Sequence, residues 1–106
     1  MDSSYQNPGP AASEVEALRG TAVLEFGTDW CGVCRGAQGA IREALDGHPE
    51  VRHLKVEDGP GRPLGRSFRV KLWPTLVFLK DGQEVARVVR PASLDEVRQG
   101  LQKIDG

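Results

Sequence analysis

The sequence predicts an α/β domain, a central mixed sheet of about four strands with helices on both faces. Three observations carry this. The chain has 106 residues, enough for one core and too few for two. Helix-patterned and strand-patterned segments alternate along it in the order α–β–α–β–α–β–β–α. Asp81-Gly82, set between two β-rich runs, is a strong hairpin signal, because both residues tolerate positive φ.

Residues 1–12, polar and rich in Pro and Gly, read as a flexible N-terminal segment, which leaves 13–106 as the folded domain. Ser13-Glu14-Val15-Glu16 has the form of a capping box, so a short helix should follow and stop at Gly20. Residues 21–26 are β-rich and mostly apolar, a buried strand in which Glu25 is the anomaly. A longer helix is expected from about Cys31 to Leu45, with Ala37, Ile41, Ala44 and Leu45 as its apolar stripe. Gly36 and Gly39 weaken its first turns by roughly 1 kcal/mol each. Gly47 and Pro49 close it, and residues 51–56 alternate as a second strand. After the loop Asp58-Gly-Pro-Gly comes a short helix near 62–68. Residues 75–79 and 84–90 form the third and fourth strands around the hairpin turn. Ser93-Leu-Asp-Glu96 is a second capping box, opening a last helix to about Lys103 with Val97, Leu101 and Ile104 on its buried edge. The early strand–helix–strand unit should make a parallel pair with a right-handed crossover, and the late hairpin an antiparallel one.

Apolar residues make up 39% of the chain and charged residues 27%, as in soluble globular domains. The formal net charge of −1 leaves no electrostatic footprint for nucleic acid. The longest apolar runs are too short to span a bilayer, so neither nucleic acid nor membrane is expected as a partner. The first residues lack the basic start and apolar stretch of a secretory signal, which makes the cytoplasm the default location. Removal of a signal by processing would leave no trace in this sequence, so an exported protein stays open.

The chain has two cysteines, three positions apart. So short a loop would gain little from a structural disulfide, and such a bond would not persist in the cytosol. The pair is therefore catalytic, metal-binding or incidental. A structural zinc site takes four Cys or His ligands, and only His48 and His53 are available besides, without finger spacing. No metal is expected. The segment Trp30-Cys31-Gly32-Val33-Cys34 falls where the first strand ends and the long helix begins. Free N–H groups and the helix dipole favour an anion at such a start, so Cys31 is assigned as the attacking thiolate. Cys34, one turn on and less exposed, would resolve the mixed disulfide.

The run Phe26-Gly-Thr-Asp-Trp30-Cys31-Gly32-Val33-Cys34-Arg35, followed roughly forty residues later by Trp73-Pro74-Thr75, resembles the thioredoxin family from about Ser13 onward. The N-terminal strand usual in full thioredoxins is not evident. The resemblance implies a thioredoxin-like fold, in agreement with the element order. It also implies a cis Pro74 packed beside the cysteines; on the residues alone Pro74 would simply open a strand.

Glu25 stands where the family carries a buried Asp. In an apolar strand its pKa should be raised by desolvation, which suits a proton acceptor for Cys34; otherwise it points outward from a sheet edge. His53 falls near a family Lys that can pair with that acid, although a surface histidine is the favoured reading. Val33 replaces the family's usual Pro, a change associated with a less reducing pair. Trp30, Gly32, Val33, Trp73, Pro74 and Arg90 are the expected substrate-binding positions. Trp73 and Arg90 are bulkier than the family norm, forming either a basic groove for acidic targets or merely a core Trp and a solvated Arg.

The expectation is a monomeric protein-disulfide reductase in which Cys31 attacks, Cys34 releases and Glu25 manages the proton. Its substrates would be disulfide-containing proteins. The resemblance implies recycling by an external, flavin-dependent thioredoxin reductase linked to NADPH, and no cofactor held by this chain. The alternatives are a thioredoxin-like client-binding, chaperone or assembly module, and an exported disulfide oxidase or isomerase.

Overall fold

Residues 4–105 are described by the computed structural model. Their elements come in the predicted order: α1 (Ala12–Glu16), β1 (Thr21–Gly27), α2 (Gly32–Asp46), β2 (Arg52–Glu57), α3 (Pro63–Ser67), β3 (Thr75–Lys80), β4 (Gln83–Val89) and α4 (Leu94–Ile104). The strands form one sheet in the order β2-β1-β3-β4. β1 runs parallel to β2 and antiparallel to β3, and β3–β4 is the antiparallel hairpin. The hairpin turns through Asp81 and Gly82 at φ 50° and 78°. A Cβ at Gly82 would lie 2.2 Å from the Glu16 carbonyl oxygen, so only glycine fits that turn against α1.

Strand periodicity sorts the core into two layers. Val23, Leu76 and Phe78 face α2 and α4, where they meet Ile41, Ala44, Val97, Leu101 and Ile104. Ala22, Leu24, Phe26, Val77 and Leu79 face the other way, onto Val15 of α1 and Leu64 of α3. Since β1 is interior to the sheet, Glu25 cannot point out from an edge. The alternation instead turns it, with Val23, towards α2. Among the described residues no helix is long and apolar enough to cross a membrane.

Two local expectations are corrected. α1 is capped at Ala11, and its reciprocal carboxylate is Glu14, which accepts the Ala11 N–H at 2.8 Å; Ser13 lies inside the helix. The flexible segment proposed for residues 1–12 is ordered over its described part. Tyr5 is 7% exposed, and its N–H donates to Asp29 Oδ1 at 3.0 Å. Gln6 makes a parallel bridge to Val56: its N–H donates to the Lys55 carbonyl at 2.8 Å, and its carbonyl accepts from the Glu57 N–H at 2.9 Å. The open edge of β2 supplies these partners. One bridge and one buried ring make too short a pattern for periodicity to reveal. Residues 1–3 lie outside the described residues.

Candidate active site

The end of β1 delivers the chain into α2 through Thr28-Asp-Trp-Cys31. Cys31 is the N-cap residue, with extended φ and ψ, and its sulfur accepts the Cys34 N–H at 3.2 Å. An N–H directed at that sulfur stabilises negative charge there. Cys34 sits one turn deeper with no exposed surface, and both cysteines are free thiols. Burial, reinforced by the hydrogen bond with Cys31, pushes the Cys34 thiol up to about 11, against opposing hydrogen bonds from the Thr28 backbone and Tyr5. One cysteine is thus presented at the helix mouth, and the other is kept protonated beneath it.

Below the pair lies a buried carboxylate held by three side chains. Tyr5 Oη donates to Glu25 Oε2 in a short hydrogen bond. Gln38 Nε2 donates to the same oxygen at 2.7 Å, and His53 Nε2 lies 2.8 Å from Oε1. Gln38 is itself fixed: Nε2 also donates to the Cys34 carbonyl at 2.8 Å, and Oε1 accepts from Lys55 Nζ at 2.8 Å. Lys55 Nζ stands 4.5 Å above the centre of the Tyr5 ring. His53, 23% exposed in its side chain, is therefore a partner of Glu25 and not a surface histidine. His48 faces Glu50 and Asp105 at 3.7 and 3.6 Å. Among the described residues neither histidine joins the cysteines.

This environment reverses the expected direction for Glu25. Burial does push its carboxyl upward, but the hydrogen bonds from His53, Tyr5 and Gln38 outweigh it, and the group is held below its ordinary value of 4.5. A carboxyl depressed on folding contributes stability that is present above the unfolded pKa and lost as pH falls through the folded one. Thermal melts should therefore show a loss of stability on acidification below about pH 4.5 that Glu25→Gln lacks. Parallel pH profiles for the two proteins would contradict this.

The remaining predicted residues form the rim. The Trp73–Pro74 bond is cis, and Trp73 packs against the Tyr5–Cys31–Cys34 cluster. Trp73 is neither core nor free: it is half-buried, and its indole N–H donates to Asp58 Oδ2 at 2.8 Å. Trp30, 73% exposed, meets it edge-on at 5.7 Å between ring centres. Arg90 has φ 49°; its N–H donates to the Pro74 carbonyl and its Nε to the Trp73 carbonyl, both at 2.9 Å. Arg90 is thereby anchored at the groove. Gly32 and Val33 are exposed on the first turn of α2.

Sequence reasoning missed Tyr5, Gln38, Lys55, Asp58 and the role of Gly27. Gln38 follows Cys34 by four residues on one helix face, and Lys55 follows His53 by two on one strand face, so both had a positional signal. Gly27 is required by close approach: a Cβ there would lie 2.6 Å from Cys34 Sγ and 2.8 Å from Tyr5 Oη.

The family model for thioredoxin matches residues 10–103. The chain belongs to the thioredoxin family. Among thioredoxins of known structure, thioredoxin 2 from Pseudomonas aeruginosa PAO1 in its reduced form is 54% identical, with a TM-score of 0.88 and full coverage of both chains. A thioredoxin from Nicotiana alata is 28% identical at a TM-score of 0.73, covering 88% of this chain and 80% of that one. Thioredoxin H-type 1 of Nicotiana tabacum is 36% identical over 81 residues, which span 76% of this chain and 64% of the relative's length. Membership of this family, with free Cys31 and Cys34 spaced as a CxxC pair, makes the pair a thiol–disulfide centre.

Proposed function

We propose that the protein is a thiol–disulfide oxidoreductase that reduces protein disulfides, with Cys31 as nucleophile, Cys34 as resolving thiol and Glu25 as proton acceptor. The observation that carries this reading is the Cys31 sulfur at the N-cap of α2, accepting an N–H from the residue that must later attack it. The Cys31 thiolate attacks a target disulfide, one target sulfur leaves as a thiolate, and a mixed disulfide forms. Cys34 then loses its proton and attacks the Cys31 sulfur. The bond to the target breaks, the second target thiolate leaves, and the protein holds the Cys31–Cys34 disulfide. Two electrons have passed to the target. An external enzyme of the thioredoxin-reductase type would return the pair to dithiol.

Trp30, Gly32, Val33, Trp73, Pro74 and Arg90 would receive an extended target segment, and the anchored Arg90 charge favours acidic flanks. A cytoplasmic setting suits this activity, because thiols there are kept reduced. The protein would act as a monomer.

The test is dithiol-dependent reduction of insulin together with the reduction potential of the pair. Catalysed reduction and a potential near −270 mV, the value of thioredoxin itself, are expected. A potential of about −120 to −180 mV would instead mark an oxidase or isomerase, since each 30 mV is about 1.4 kcal/mol for this couple.

A further inference from the structure

Cys34 is fully buried and protonated, yet it must deliver its proton before it can attack. The Tyr5 hydroxyl donates to Glu25, and its ring packs in one buried cluster with Cys34, the phenol oxygen and the Cys34 sulfur both lying against Gly27. The approach is close enough that a single methyl placed at Gly27 would collide with both the sulfur and the phenol oxygen. We propose that the Tyr5 phenol carries the Cys34 proton to Glu25 during resolution, a role that rests on the reductase reading above. Tyr5 lies beside the reacting sulfur and comes from a segment outside β1 and α2, the two elements that hold Glu25 and the cysteines.

The handover balances. The phenol passes its own proton to Glu25 Oε2 and takes the proton of Cys34 in its place. Glu25 becomes the neutral acid, Tyr5 ends neutral as it began, and the freed Cys34 thiolate forms the bond to Cys31. The hydroxyl has one proton, already directed at Glu25, and lone pairs left for the thiol. Burial, with the Glu25 charge and hydrogen bond, raises the phenol far above its ordinary pKa, so it serves as a carrier and is never itself a resting phenolate. The charged and titratable groups facing it are Glu25 and Cys34, Lys55 over the ring, and Asp29 at its N–H, with His53 behind Glu25.

The dithiol protein reacted with 5,5′-dithiobis(2-nitrobenzoate) separates the steps. The first thionitrobenzoate is released when Cys31 attacks, and the second when Cys34 resolves. The second release needs no proton for its leaving group, so the only proton in it is that of Cys34. Tyr5→Phe should leave the first phase unchanged and slow the second about tenfold or more, as loss of a proton-transfer group does. Glu25→Gln added to Tyr5→Phe should slow it little further, since both act in one path. Tyr5 is the chain's sole tyrosine. Fluorotyrosine incorporated throughout the protein therefore changes the acidity of this phenol alone, and should alter the second phase while sparing the first. That measurement decides the matter should Tyr5→Phe fail to fold. Equal second-phase rates in the wild type and Tyr5→Phe, or in the wild type and the fluorinated protein, would overturn the proposal while leaving the reductase reading intact. Release of only one thionitrobenzoate by the wild type would overturn the reductase reading itself.

Discussion

Cys31→Ser is expected to lose insulin reduction by on the order of a thousandfold or more, whereas Cys34→Ser should lose turnover yet still attack. A serine hydroxyl at the N-cap would keep the helix start intact, because serine is a favoured capping residue. It is far too weakly acidic to supply the nucleophile. The fold should therefore survive Cys31→Ser while the first step vanishes. In Cys34→Ser the sulfur at the helix mouth is unchanged, but nothing beneath it can displace the target. A mixed disulfide should accumulate to one equivalent, detectable by intact mass and released by dithiothreitol. Should the trapped target instead be found on Cys34 in the Cys31→Ser protein, the two roles would be reversed.

Glu25→Leu is expected to destabilise the fold by about 3 kcal/mol. Removing one partner of a buried charged network is costly because the groups left behind are desolvated without an acceptor. Tyr5 Oη and Gln38 Nε2 would lose the oxygen they share, and His53 Nε2 would lose the Glu25 oxygen 2.8 Å away. Each kcal/mol moves the midpoint of a 60–100-residue domain by about 4–8 °C, so a fall of roughly 15 °C in Tm is anticipated. Glu25→Gln keeps one acceptor oxygen and should cost less. Thermal melts at neutral pH check both, and a Glu25→Leu protein melting within about 3 °C of wild type would show that the donors find other partners.

The helices and strands were legible because each announces itself through its own neighbours. The Ala37–Ile41–Ala44 stripe, the alternation of residues 51–56 and the Asp81-Gly82 turn are all local patterns. Ser93 likewise caps α4 as read, accepting the Glu96 N–H at 3.4 Å. The beginning of the chain was misread for the same reason: a single bridge at Gln6 and one buried ring at Tyr5 have no period to detect. At the site, Cys31 and Cys34 were visible from their spacing and their place at a strand-to-helix junction. The acid was visible too, as a charge in an apolar strand, although its protonation behaviour was read in the wrong direction.

By itself, then, the amino-acid order determined the α/β architecture, the redox pair and which carboxylate lies behind it, since these follow from periodicity, punctuation and spacing over a few residues. The folded structure alone decided how that carboxylate is held. Its three hydrogen-bonding partners stand 20, 13 and 28 residues away in sequence. The balance between desolvation and hydrogen bonding depends on atoms within about 3 Å, which only the packing of β1, α2, β2 and the N-terminal segment brings together.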